Sequence, residues 1–132
     1  MPKKSLNILF ADDEDEIASI VASILKRAGH TVDVVGDGQA ALLKLKEAPG
    51  HYHLLITDSN MPELSGIELI ARLTETGFKG KVILLTGYLT EEMEGTYVSL
   101  LIDKVIQKPF PLAEFSRQVD ELGAACDLPG RA

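Results

Sequence analysis

Short, continuously apolar runs recur along this chain, and each is followed by a longer stretch in which apolar residues return every three or four positions. A run that is apolar at every position suits a strand covered on both faces, whereas the wider spacing suits a helix with one buried side. Five such pairs fit the chain, with a core from about residue 6 to residue 125, and this alternation predicts a parallel sheet wrapped by helices. At 132 residues the chain has material for one domain. The tail from Asp127 to Ala132 is too short for another.

The first strand is expected from Leu6 to Ala11, where it ends abruptly in acid. Ile17, Ile20, Val21, Ile24, Leu25 and Ala28 then form a helical stripe that Gly29 terminates. Thr31 to Val35, rich in β-branched residues, reads as the second strand. Asp37 precedes a second helix to about Ala48, closed by Pro49-Gly50. His53 to Thr57 is the third strand, and Ser65-Gly66 leads into a third helix with Ile67, Ile70 and Leu73 facing inward. Val82 to Leu85 is the fourth strand. Thr90 can cap a fourth helix, whose middle Gly95 and Thr96 weaken, so that helix is expected to be mobile. Lys104 to Gln107 forms a short fifth strand, and Pro111 suits the first position of a last helix carrying Leu112, Phe115, Val119 and Leu122 on one face.

Polar residues gather where these strands end: Asp12 and Asp13 after the first, Asp58 after the third, Thr86 after the fourth and Lys108 after the fifth. In an open parallel sheet the carboxyl ends of the strands are the edge where ligands bind. Carboxylates about 5 Å apart at an effective dielectric near 20 repel by roughly 3 kcal/mol per pair, so such a crevice calls for positive charge. Lys108 supplies one charge, and a hard cation with oxygen ligands, Mg²⁺ above all, supplies the rest. A carboxylate beside that metal can attack phosphorus to give an acyl phosphate, while Lys108, Thr86 and the metal offset charge on the transferring oxygens.

The same residues resemble the receiver family of bacterial response regulators over essentially the whole chain. The matching motifs are Phe10-Ala11-Asp12-Asp13, Thr57-Asp58-Ser59-Asn60-Met61-Pro62 with Gly66, Leu85-Thr86-Gly87, and Lys108-Pro109-Phe110. The resemblance implies a flavodoxin-like, doubly wound sheet in the order 2-1-3-4-5 with five helices, residues 1–132 forming one receiver domain. It implies that Asp58 takes a phosphoryl group from a histidine kinase or phosphotransfer protein. It also implies that Asp13, Asp58 and the Asn60 backbone carbonyl bind Mg²⁺ directly while Asp12 helps through water. Lys108 would contact the phosphoryl group, Thr86 would move toward it on activation, and Lys108-Pro109 would be a cis peptide.

Two departures stand out. Where the family commonly carries Tyr or Phe three residues before the lysine, this chain has Val105, and Tyr88 is a candidate to share the missing role or to gate the pocket. Where the family tends to carry Gly-Ala, this chain has Leu101-Ile102. The added apolar bulk around Leu101, Ile102 and Val105 predicts a face that binds a downstream protein or a second copy. It also keeps open a receiver-like module that binds without switching. A phosphatase of the haloacid dehalogenase type would need a second acid two residues after the nucleophile, where this chain has Asn60.

Composition narrows the remaining classes. The formal charge of −7 argues against an electrostatic grip on nucleic acid or acidic lipid. The apolar runs are far too short to span a bilayer and Met1-Pro2-Lys3-Lys4-Ser5 leads into no signal core, so a cytoplasmic protein is expected. The single cysteine, Cys126, has no partner for a disulfide, and His30, His51 and His53 lack the spacing of a zinc site. No Gly-rich phosphate loop or dinucleotide fingerprint follows the first strand.

Overall fold

The computed structural model describes residues 5–48, 50–59, 64–86, 102–107 and 111–125, with side chains as far as residue 122. The expected fourth helix, Asn60, Tyr88, Leu101, the Lys108-Pro109 peptide and Cys126 all lie outside the described residues. Five strands, β1 (Asn7–Ala11), β2 (Thr31–Val35), β3 (Leu54–Asp58), β4 (Lys81–Thr86) and β5 (Lys104–Gln107), form one parallel sheet in the order β2-β1-β3-β4-β5. The order reverses beside β1, which opens a crevice at the carboxyl ends of β1 and β3.

Helices cover both faces. Leu54, Ile56, Ile83 and Leu85 point to a layer made by α1 (Asp15–Arg27) and the C-terminal helix (Leu112–Ala125), which contributes Phe115 and Val119. Leu9, Leu55, Val82 and Leu84 point the other way, onto α2 (Gly38–Glu47) and α3 (Gly66–Ala71). Burial on both sides is why these strands read as unbroken apolar runs. Among the described residues no helix is long and apolar enough to cross a membrane.

Local chemistry fixes the helix ends. Gly29 closes α1 with a φ of 100°, a left-handed conformation that other residues rarely adopt. Asp37 caps α2 by accepting from the Ala40 amide at 2.7 Å. At α3 the Ser65 hydroxyl accepts from the Glu68 amide while the Glu68 carboxylate accepts from the Ser65 amide, a reciprocal cap that holds the loop leaving β3.

Several expectations shift by a residue or a face. β1 begins at Asn7 rather than Leu6, β3 runs one residue later, and β4 extends to both Lys81 and Thr86. Asp58 and Thr86 are therefore the last residues of their strands rather than the first beyond them. On α1 the buried stripe is Ala18, Val21, Ala22 and Leu25, while Ile20 is half exposed, because small residues let the helix lie close to the sheet. The third helix ends at Ala71 and yields to a 3-10 turn over Leu73–Glu75, with Leu69 beside Ile70 as its buried pair. Pro111 precedes the C-terminal helix, its carbonyl accepting from the Phe115 amide at 3.0 Å, and Leu112 is 40% exposed.

Candidate functional site

The carboxyl ends of β1 and β3 bring acids together. The ladder between β1 and β2 continues past the strand through the Asp12 amide, which donates to the Val35 carbonyl at 3.0 Å. That bond places Asp12 at the sheet edge, where it is 1% exposed. Asp58, paired with Leu85 of β4, is 6% exposed. Strand alternation sends Asp12 the way of Ile8 and Phe10, and Asp58 the way of Leu54 and Ile56, so both acids share the face covered by α1.

Glu14 completes the group. One carboxylate oxygen from each of Asp12, Glu14 and Asp58 lies within 4.8 Å of the other two. At that separation and an effective dielectric near 20, each ionised pair repels by about 3 kcal/mol. Backbone amides offset part of this cost, since Asp12 Oδ1 accepts from the Glu14 amide at 3.0 Å and Asp58 Oδ1 from the Ser59 amide at 2.9 Å. The donor set is entirely oxygen, with two buried members and one at the solvent boundary. Such a set fits a small hard cation that keeps several waters, which is the chemistry of Mg²⁺.

Asp13 sits differently from Asp12: its side chain is exposed, and the three-carboxylate group forms without it. The sequence reading passed over Glu14 because Asp12 to Glu16 is an unbroken acidic run, in which composition does not say which side chain turns inward. Glu14 is the cap residue of α1 with an extended backbone and makes no side-chain cap, and that turn brings its carboxylate back toward β3.

The loop leaving β3 is pinned from both sides. Ser59 extends the pairing with β4 by donating its amide to the Leu85 carbonyl at 2.9 Å, and its own carbonyl accepts from the Gly66 amide at 3.1 Å. A Cβ on Gly66 would stand 1.9 Å from the Asp58 carbonyl oxygen, so only glycine lets α3 begin this close to the acceptor strand. The Ser59 hydroxyl, 3% exposed, donates to Thr86 Oγ1 at 3.3 Å. The structure therefore brings Asp12, Asp58 and Thr86 to one edge as expected, and adds Glu14 and Ser59. Lys108 and Asn60 lie outside the described residues.

The family model described as the response regulator receiver domain matches residues 8–120. Among curated relatives, the response regulator receiver protein CpdR of Brucella abortus is 31% identical over 115 residues, covering 87% of this chain and 94% of that protein. The transcriptional regulatory protein CutR of Streptomyces coelicolor is 30% identical over 126 residues, covering 94% of this chain but 56% of that protein. Among solved structures, the response regulator TrrA of Thermotoga maritima, in complex with Mg²⁺-BeF, superposes with a TM-score of 0.75 at 31% identity, covering 89% of this chain and 98% of that one. The chain belongs to the response regulator receiver family.

Proposed function

We propose that this receiver domain accepts a phosphoryl group on Asp58 from the phosphohistidine of a sensor histidine kinase or phosphotransfer protein, with Mg²⁺ as cofactor. The observation that carries the reading is the meeting of Asp12, Glu14 and Asp58 oxygens within 4.8 Å at the end of the sheet. An Asp58 carboxylate oxygen attacks phosphorus, a P–O bond forms to give the acyl phosphate, and the P–N bond to the donor imidazole breaks with its electron pair leaving on nitrogen. Asp58 Oδ1 is held by the Ser59 amide, which orients the carboxylate for attack.

The cation, when bound, neutralises the crowded carboxylates and the charge on the phosphoryl oxygens. Asp13, Asp58 and the Asn60 backbone carbonyl are its proposed direct ligands, with Asp12 acting through water and Glu14 adding negative charge beside them. Lys108 is assigned to a phosphoryl oxygen, and Thr86 to a hydrogen bond with another once it has moved. The chain catalyses only its own phosphorylation and dephosphorylation and works in the cytoplasm, residues 1–132 forming one receiver domain. Its net charge of −7 supports partners that are proteins rather than nucleic acid. Val105 and Leu112 expose apolar surface, which supports an output face around Leu101, Ile102 and Val105 for a downstream protein or a second copy.

Intact mass after incubation with acetyl phosphate and Mg²⁺ tests this reading. We expect one phosphoryl group to be gained, and the gain to vanish in Asp58→Asn and without divalent metal. No gain in a folded, Mg²⁺-binding protein would favour a receiver-like binding module.

A further inference from the structure

We infer that Ser59 is a positioning residue that holds the Thr86 hydroxyl away from the phosphoacceptor, so that breaking one buried hydrogen bond is part of the cost of switching. The inference rests on the phosphoacceptor reading of Asp58 given above.

Side-chain alternation carries the argument. Along β3, Leu55 and Ser59 share a side, and along β4, Val82, Leu84 and Thr86 share the same one, toward α2 and α3. Asp12 and Asp58 belong to the opposite side, with Phe10 and Ile56. The Ser59 hydroxyl donates to Thr86 Oγ1 at 3.3 Å, and both side chains are at least 97% buried. Thr86 is thus tethered on the side of the sheet away from the carboxylates.

The tether has a rigid post. Ser59 is fixed through both backbone polar groups, its amide to Leu85 and its carbonyl to Gly66, and its amide also lies against Asp58 Oδ1. For Thr86 to reach a phosphoryl oxygen on Asp58, its hydroxyl must leave Ser59. A state that is populated only after that bond breaks binds its ligand more weakly in proportion to its rarity. Removing the bond, at the usual net worth of a buried neutral hydrogen bond, raises the competent fraction about five-fold.

Ser59→Ala deletes the hydroxyl with almost no change of volume. The initial rate of phosphoryl gain from acetyl phosphate, read by intact mass, is expected to rise about five-fold in Ser59→Ala. In a Thr86→Ala background the same substitution is expected to change the rate less than about 1.5-fold, because the tethered group is gone. A second readout needs no phosphorylation: three-bond couplings to the Thr86 methyl carbon should shift from their wild-type values in Ser59→Ala, reporting a changed χ1 distribution. An unchanged or slower rate, an equal factor in both backgrounds, or an unchanged χ1 would overturn the inference. If the wild type gains no phosphoryl group at all, the reading of Asp58 fails while the couplings still decide the tether.

Discussion

Where the strands begin, polar side chains are spent on fixed backbone partners; where they end, like charges are pressed together. At the first edge His30 Nδ1 accepts from the Leu6 amide at 3.1 Å and its Nε2 faces Asp120 Oδ1 at 3.0 Å. His53 Nδ1 accepts from the Asn7 amide, Asn7 donates to the His51 carbonyl, and Asp103 accepts from the Val82 amide at 2.8 Å. Each group there has a complementary neighbour, so the edge stabilises the fold. At the other edge one carboxylate oxygen from each of Asp12, Glu14 and Asp58 lies within 4.8 Å of the other two, a like-charge grouping whose mutual repulsion works against the fold and favours a cation. The contrast separates polar groups that hold a sheet together from those proposed to give it a function, and it assigns opposite signs to their removal.

The largest effect should come from the stabilising edge. His30→Ala leaves the Leu6 amide without its acceptor in a site whose side chain is 1% exposed, and creates a cavity beside the C-terminal helix. We expect a loss of about 3 kcal/mol in urea unfolding, with Mg²⁺ affinity by calorimetry unchanged. A loss below about 1 kcal/mol would erase the distinction between the two edges.

The opposite sign is expected at the acidic edge. Asp58→Asn keeps the acceptor for the Ser59 amide but removes one charge from the group, and should stabilise the metal-free protein by about 1 to 2 kcal/mol. With saturating Mg²⁺ the advantage should shrink or reverse, since the wild type then gains binding energy that the variant lacks. Denaturation with chelator and with Mg²⁺ measures both; destabilisation in chelator would show that the crowding is already relieved.

The smallest effect is a pH dependence on the stabilising side. Burial, reinforced by its hydrogen bond to Asp33 at 2.7 Å, pushes the Tyr52 phenol above its ordinary value. The folded protein holds this proton more tightly than the unfolded chain does. Its contribution is therefore complete below about pH 10 and falls as pH rises beyond that. Tyr52→Phe should flatten the alkaline limb of stability above about pH 10 while costing about 1 kcal/mol near neutrality. An unchanged alkaline slope would mean that Tyr52 is not the group responsible.

The central strands could be read directly because burial on both faces leaves few polar positions inside them: Leu54 to Ile56 and Val82 to Leu85 are apolar without interruption. The helices were legible as elements but less so as faces. Ile20 and Leu112 carry more apolar surface than Ala18 and Ala22, yet the alanines are buried, because the distance of closest approach to the sheet selects size as well as polarity. At the site, Asp12, Asp58 and Thr86 stood out because each follows or ends an apolar run. Ser59 looked like an ordinary turn residue, and nothing local told Glu14 from its four acidic neighbours.

By itself the sequence determined the alternation of strands and helices, the parallel sheet, and which acids end which strands, since those follow from hydrophobic period and strand length. The tertiary structure decided which oxygens meet. The pairing of Asp58 with Leu85, continued by the Ser59 amide, puts the Ser59 hydroxyl on Thr86, and the extended cap of α1 sets a Glu14 carboxylate beside those of Asp12 and Asp58. Those contacts depend on register between strands far apart in the chain and on one backbone turn. Hydrophobic pattern constrains a side chain's face, whereas the partner it finds there is set by the packing of the whole sheet.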